Sequence, residues 1–326
     1  MMRELIGQLP EQLRWAAEVD PPVMPFADEG LVVGMGGSGV AGDIAAVFAE
    51  AAGRRISVHK SYGLPGWAAS SRALVVAVSH SGNTEETRSG VEASIGAGLP
   101  ISATSTGGVL AALAAEYGIP HLTIPAGPQP RAAVGYLAGS VLRMLEASGV
   151  VGGTATALLE AADVVEALLK GEAQEEAKKI ASGLSGRVAV VYGGTGLPAT
   201  AAGRWKTQIN ENSKAPAYWS ALPELDHNEL VGWTAHPDLG KDAVGVVFLS
   251  DREDHERISL RAQLTRDLMD GVSVAGEVVS RGEGVLARLF SLIVIGDLVS
   301  VELAERADID PMPVVVIEQL KKRLVE

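Results

Sequence analysis

Short aliphatic and β-branched runs recur along the chain at residues 30–33, 56–59, 74–78, 101–103 and 121–124, with stretches of helical length between them. A long helical region follows over 132–182, its clearest turn signal at 149–153. A second series of runs then appears at 188–192, 217–220, 244–249 and 273–278. Runs this short, with helix-length spacers, predict parallel strands buried on both faces. Residues 85–97 read as a helix, 203–213 as a helix or its end, 311–314 as a turn and 315–325 as a final helix. The pattern is that of an α/β chain.

The two series echo each other. Val33-Gly34-Met35-Gly36-Gly37-Ser38-Gly39 is matched by Val191-Tyr192-Gly193-Gly194-Thr195-Gly196, each after an apolar run and before a helical stretch. Two similar doubly wound domains, 1–150 and 151–326, are therefore expected. With 326 residues and 47% hydrophobic content, the chain is long enough for both cores.

One stretch has no counterpart in the second half. Ser79-His80-Ser81-Gly82-Asn83-Thr84 follows the 74–78 run and leads into Glu85-Glu86-Thr87. A strand-to-helix turn directs free backbone N–H groups and the positive end of a helix dipole at whatever lies in front of it. An ordinary N-cap needs one hydroxyl. Ser79, Ser81, Thr84 and Thr87 offer four, and Gly82 lets the backbone come close, so the stretch reads as a phosphate cradle outside the Walker pattern. At the corresponding place in the second half stands Ser250-Asp251-Arg252-Glu253-Asp254, acidic and repulsive to phosphate. One phosphate site, in the first domain, is the expectation.

Charge and composition narrow the partners. A net charge of −13 argues against nucleic acid and anionic membrane. There is no cysteine, hence no disulfide or thiolate chemistry. The N-terminal stretch has no signal-peptide core, and Arg288, Asp297 and Glu302 interrupt the most apolar window, 285–303, which reads as a buried helix rather than a membrane span. A cytoplasmic protein is expected. His59, His80, His121, His227, His236 and His255 are scattered without metal-ligand spacing, so neither metal nor cofactor is expected. Gly34, Gly36 and Gly39 also spell a dinucleotide fingerprint. The next strand, however, ends in His59-Lys60 rather than the acid that would hold a ribose, although the basic pair suits a 2′-phosphate.

Several motifs together resemble the SIS (sugar isomerase) domain family, and within it the bifunctional phosphoglucose/phosphomannose isomerases. They are Met35-Gly36-Gly37-Ser38-Gly39, the 79–87 stretch, Gln129-Pro130-Arg131, Asn210-Glu211-Asn212-Ser213-Lys214, His227-Asn228-Glu229 and Asp310-Pro311 with Pro313. The resemblance implies two tandem SIS domains, each a doubly wound parallel sheet flanked by helices, and a homodimer. It also implies interconversion of an aldose 6-phosphate and fructose 6-phosphate without metal or redox cofactor.

Such a reaction must anchor the phosphate, open the ring, move a proton between C1 and C2, and stabilise an enediolate. The hydroxyl loop supplies the anchor, and Ser38 with the N–H groups of Gly36 and Gly37 suits sugar hydroxyls. Glu211, flanked by two asparagines in a polar and aromatic stretch, is the expected base. Arg131, stiffened by Pro128 and Pro130, suits the enediolate. His227 can move a proton near neutral pH, with Asp226 or Glu229 to orient it; the resemblance implies that it serves the other subunit's site. The resemblance also implies a C-terminal lysine in ring opening. Lys321 and Lys322 both qualify, and Lys321 continues the apolar-face spacing from Ile317. Met312 stands where the family often has a threonine that helps admit both C2 epimers, and a thioether cannot hold a water as a hydroxyl does. A non-catalytic sugar-phosphate sensor would keep the loop but would not need Glu211, His227 and Arg131 together. A SIS isomerase for another sugar phosphate fits the same residues.

Overall fold

Each apolar run becomes a parallel strand. The computed structural model describes residues 1–235 and 238–325, so His236 lies outside the described residues. The strands are β1 (Gly30–Val33), β2 (Ile56–His59), β3 (Leu74–Val78), β4 (Ile101–Ser105), β5 (His121–Thr123), β6 (Val188–Gly194), β7 (Ala217–Leu222), β8 (Val244–Ser250) and β9 (Ser273–Val279). The helices are α1 (Met2–Gly7), α2 (Leu9–Glu18), α3 (Gly36–Ala51), α4 (Glu85–Gly96), α5 (Gly108–Tyr117), α6 (Val134–Ala147), α7 (Thr154–Lys170), α8 (Ala173–Leu184), α9 (Leu197–Asn212), α10 (Glu229–Gly232), α11 (Glu256–Leu268), α12 (Val285–Arg306) and α13 (Val315–Val325). The 132–182 region contains two breaks rather than one, at 148–153 and at 171–172.

The first sheet runs β2-β1-β3-β4-β5 and the second β7-β6-β8-β9, all pairs parallel. β1 and β3 in the first sheet correspond to β6 and β8 in the second. In each sheet the chain winds outward in both directions from that central pair. The connections after those two strands therefore diverge and leave a crevice at the carboxyl edge, where open α/β sheets bind ligands.

Burial explains the strand composition. Leu31, Val33, Val75 and Ile101 pack on one face of the first sheet, and Ala77 and Ala103 pack with Val91 and Leu110. In the second sheet Val190, Tyr192, Val246 and Phe248 pack with Leu222, Leu225 and Met269. Strands covered on both faces have no polar side to display, hence their unbroken apolar runs.

The chain divides into two compact units, one of Gly7–Leu168 with Arg281–Ser291, the other of Met1–Ile6, Leu169–Ser280 and Leu292–Glu326. The division therefore differs from a cut at 150. Most of α7 belongs with the first sheet because Leu158, Ala161, Ala162 and Val165 are buried, and the chain returns to that unit once more at 281–291. α12 carries the most apolar window of the sequence as a buried helix, with Arg288 and Asp297 buried too. No described helix is long and apolar enough to cross a membrane.

Candidate active site

The hydroxyl loop occupies the crevice of the first sheet. It runs from the end of β3 into α4, and Thr84 precedes that helix without its own side chain capping the helix amides. Gly82 has φ +71°, and a Cβ there would overlap the Gly107 carbonyl oxygen. A second glycine turn, after β4, braces the loop. Thr106 donates its N–H and its hydroxyl to the His80 carbonyl, both at 2.9 Å. Leu110 N–H reaches the Gly82 carbonyl at 2.9 Å, and Val109 N–H reaches Asn83 Oδ1 at 3.1 Å. Sequence reasoning missed this brace; its signal was the Gly107-Gly108 pair immediately after β4.

The four hydroxyls do different things. Ser81 is exposed and Thr84 half-buried, so both face outward. Ser79 is fully buried and shares a 2.8 Å hydrogen bond with Thr84 Oγ1, bracing it from behind. Thr87 departs from the sequence expectation. It is buried, and its hydroxyl donates to the Val78 carbonyl at 3.3 Å, so it ties helix to strand instead of facing the loop's open side. The His80 ring turns inward, its Nε2 is buried, and burial lowers its pKa.

The loop after β1 meets this one. Ser38 Oγ accepts from the His80 N–H at 3.2 Å. Gly37 lies against the Pro130 carbonyl, leaving a Cβ only 3.1 Å of room. The Pro130–Ala132 turn therefore sits on Gly37, and Arg131, only 4% exposed, is held there with Nη1 3.4 Å from Gln129 Oε1. Gln12 fixes the segment from behind: its Nε2 donates to the Ala132 carbonyl at 2.7 Å and its Oε1 accepts from Gly135 N–H at 3.0 Å. Nothing in the sequence marks Gln12 for this task. Gly36, Gly37, Ser38, Ser79, Ser81, Thr84 and Arg131 thus form one constellation. The dinucleotide alternative finds less support, because Lys60 is bound to Asp43 of α3 at 2.5 Å.

In the second unit Glu211 stands, half-buried, on the last turn of α9. Its flanking asparagines lock that turn. Asn210 Nδ2 donates to the Ala215 carbonyl at 2.8 Å, and Asn212 Nδ2 to Ser300 Oγ at 2.9 Å. Lys214, in a left-handed conformation at φ +55°, donates from Nζ to the carbonyls of Glu211 (2.7 Å), Asn212 (3.3 Å) and Pro311 (3.1 Å). That lysine connects the Glu211 turn to the Pro311-Met312 segment, where Met312 N–H is held by Asp310 Oδ1 at 2.9 Å.

His227 is exposed at the end of a short helical turn after β7. Its neighbouring acids are engaged elsewhere, which corrects the expectation that one of them orients it. Asp226 accepts from Arg261 at 2.8 Å and from Thr265 at 2.7 Å. Glu229 accepts from Tyr192 at 3.0 Å and from Ser220. Burial and Glu229 raise the Tyr192 phenol. The two acids instead fasten the 224–229 turn to the sheet and to α11. Lys321 and Lys322 are exposed on α13.

The crevice of the second sheet is filled from within. Asp254 lies against Gly194, both oxygens 3.0 Å from where a Cβ would stand, and its Oδ2 accepts from Asp251 N–H at 2.8 Å. Burial, joined by the Asp251 charge, pushes the Asp254 carboxyl up to about 6. Among the described residues, no three His, Asp or Glu side chains converge where they could hold a metal ion.

Residues 173–324 match the model of the bacterial phospho-glucose isomerase C-terminal SIS domain. A bifunctional phosphoglucose/phosphomannose isomerase of Caldicellulosiruptor bescii is 38% identical over 338 aligned positions, covering 100% of this chain and 99% of the relative. The chain belongs to the bifunctional phosphoglucose/phosphomannose isomerase family. The same comparison reaches a D-glucosamine-6-phosphate 4-epimerase of Sulfolobus acidocaldarius, 28% identical over 93% of this chain and 92% of that one. Among solved structures, the tagatose-6-phosphate ketose/aldose isomerase of Escherichia coli shares the fold. It superposes with a TM-score of 0.69 at 17% identity, covering 95% of this chain and 94% of that one. Family membership accounts for the paired sheets.

Proposed function

We propose that this chain interconverts glucose 6-phosphate, and mannose 6-phosphate, with fructose 6-phosphate in the cytoplasm, through an enediolate and without a metal. The observation that carries the reading is the constellation of the first crevice, in a member of this family. Outward hydroxyls and helix amides there meet a buried arginine through Ser38 and Gly37.

The phosphate dianion takes Ser81, Thr84 and the first amides of α4, a site that gains from both hydrogen bonding and the helix dipole. Sugar hydroxyls take Ser38 and the amides of Gly36 and Gly37. Glu211 removes the proton from C2 of the aldose and returns it at C1, while Arg131 stabilises the enediolate oxygen. The fixed, outward position of His227 suits donation to the site of a second subunit in a homodimer, where it opens the ring with Lys321. Met312 replaces a hydroxyl with a thioether beside the Glu211 turn, and the glucose direction is the less sensitive to that change.

Turnover of fructose 6-phosphate in EDTA, with glucose 6-phosphate and mannose 6-phosphate quantified separately, tests the reading. Both products are expected. Formation of neither aldose phosphate would overturn it.

A further inference from the structure

α9 carries a row of buried polar side chains that no step of the isomerisation uses. Arg204, Gln208 and Asn212 stand four residues apart and so share one stripe, and all three are buried. Opposite them α12 presents Asp297 and Ser300, also buried. Arg204 grips Asp297 with two bonds, Nε to Oδ1 at 3.0 Å and Nη2 to Oδ2 at 2.7 Å. Two turns further on, Asn212 donates to Ser300 Oγ at 2.9 Å, and the Ser300 hydroxyl in turn donates to the Asp297 backbone carbonyl at 2.6 Å. Beside them Trp205 Nε1 donates to the Leu292 carbonyl at 2.8 Å, and its ring fills the space that a Cβ on Gly296 would need.

A buried ion pair is a poor device for stability. Desolvation offsets most of its attraction, and an apolar pair of similar volume often serves as well or better. What directional bonds supply is register. Apolar ridges tolerate small slides and rotations when the total volume is kept, whereas a shift of α9 along α12 would strand a guanidinium, a carboxylate and an amide away from water at once. Bonds at positions 204 and 212, with a tryptophan keyed to a glycine between the helices, leave α9 a single placement. Glu211 is the residue next to Asn212, on the turn so fixed.

We propose that the Arg204–Asp297 pair and the Asn212–Ser300 bond are positioning residues for proton transfer, holding the Glu211 carboxylate where the sugar carbon can reach it. This rests on Glu211 being the base. Misplacement of a reacting group by about 1 Å can cost a factor of about 100 in rate, which sets the scale of the effect.

The decisive variant replaces the pair by apolar residues of similar length, Arg204→Met with Asp297→Leu. It is expected to melt at or above the wild-type Tm and to gain as much Tm from fructose 6-phosphate as the wild type does. Its kcat, normalised to folded protein, should fall at least tenfold with KM within about twofold. An undiminished kcat in the folded double variant overturns the proposal. Ser300→Ala gives a second reading should the double variant not fold: a lower kcat per folded protein at unaltered KM, whatever the change in Tm, supports the proposal, and an unaltered kcat overturns it. Glu211→Gln, assayed alongside, separates the two ideas. If that variant remains active, the base is elsewhere. If it is inactive while the apolar pair is fully active, only the positioning role falls.

Discussion

Gly82 touches the carbonyl of Gly107 so closely that no side chain fits between them. Two glycine turns, one after β3 and one after β4, are thereby pressed together, and the loop with its outward hydroxyls takes its shape from that contact. Gly82→Ala must relieve both the overlap and a φ of +71°. A left-handed non-glycine residue alone costs on the order of 1–3 kcal/mol. KM for fructose 6-phosphate should rise at least tenfold, read from initial rates, and Tm should fall. An unchanged KM would place the phosphate elsewhere.

The hydroxyls separate by role. Ser81→Ala with Thr84→Ala removes two donors to a dianion, each bond being about 1.5–3 kcal/mol, so KM should rise at least about 100-fold, with the smaller effect on Tm. Thr87→Val should do the reverse. It leaves the Val78 carbonyl without its buried donor, costing about 1–2 kcal/mol of stability, and KM should not move. Parallel melting curves and rate measurements on the two variants distinguish the assignments, and equal KM changes would contradict them.

Asp254 gives a pH signature. Its folded pKa of about 6 lies above its unfolded value of 3.8, so the fold binds its proton more tightly than the unfolded chain does. Stability from that proton is fully present below about pH 4 and is lost as pH rises through 6. At neutral pH the ionised carboxylate is a burden. Asp254→Asn keeps an oxygen to accept the Asp251 N–H and should therefore raise Tm at pH 7.5, with the gain vanishing toward pH 4. A gain independent of pH would mean that the charge is not the cause.

His227 provides a test of subunit sharing. Inactive Glu211→Gln and His227→Ala proteins, unfolded together and refolded, should regain about a quarter of wild-type turnover, because half the dimers are mixed and each mixed dimer holds one intact site. Absence of recovery would put both residues in a single subunit's site. Breaking the fastening beneath the histidine, by Asp226→Ala, should lower kcat and also Tm, since Arg261 and Thr265 both lose their acceptor.

Much of the architecture was legible because the central strands β1, β3, β6 and β8 are buried almost throughout and so are written in apolar residues. β1, β2 and β3 begin and end where the hydropathy does. The glycine repeat at Gly36 and Gly193 fixed the equivalence of β1 with β6, and the hydroxyl run after β3 marked the crevice. Local chemistry of this kind needs only neighbours in sequence.

Side-chain roles were harder to read, because a hydroxyl or carboxylate does not announce its partner. Thr87 looks like Thr84 in the sequence, yet the helix turns one toward the strand and the other outward. Asp226 and Glu229 sit beside His227 in the chain, but their partners come from α11, β6 and β7. α7 follows the 149–153 turn and still joins the first sheet, because its buried stripe packs there. Arg204 and Asp297 are 93 positions apart and become a pair only when α9 lies along α12. The sequence by itself determined where strands and helices form and which strand-to-helix turn gathers hydroxyls, since those follow from periodicity and local turn chemistry. Only the tertiary structure decided which polar groups are consumed inside the protein and which remain for a ligand, since that depends on desolvation and on partners brought from distant parts of the chain.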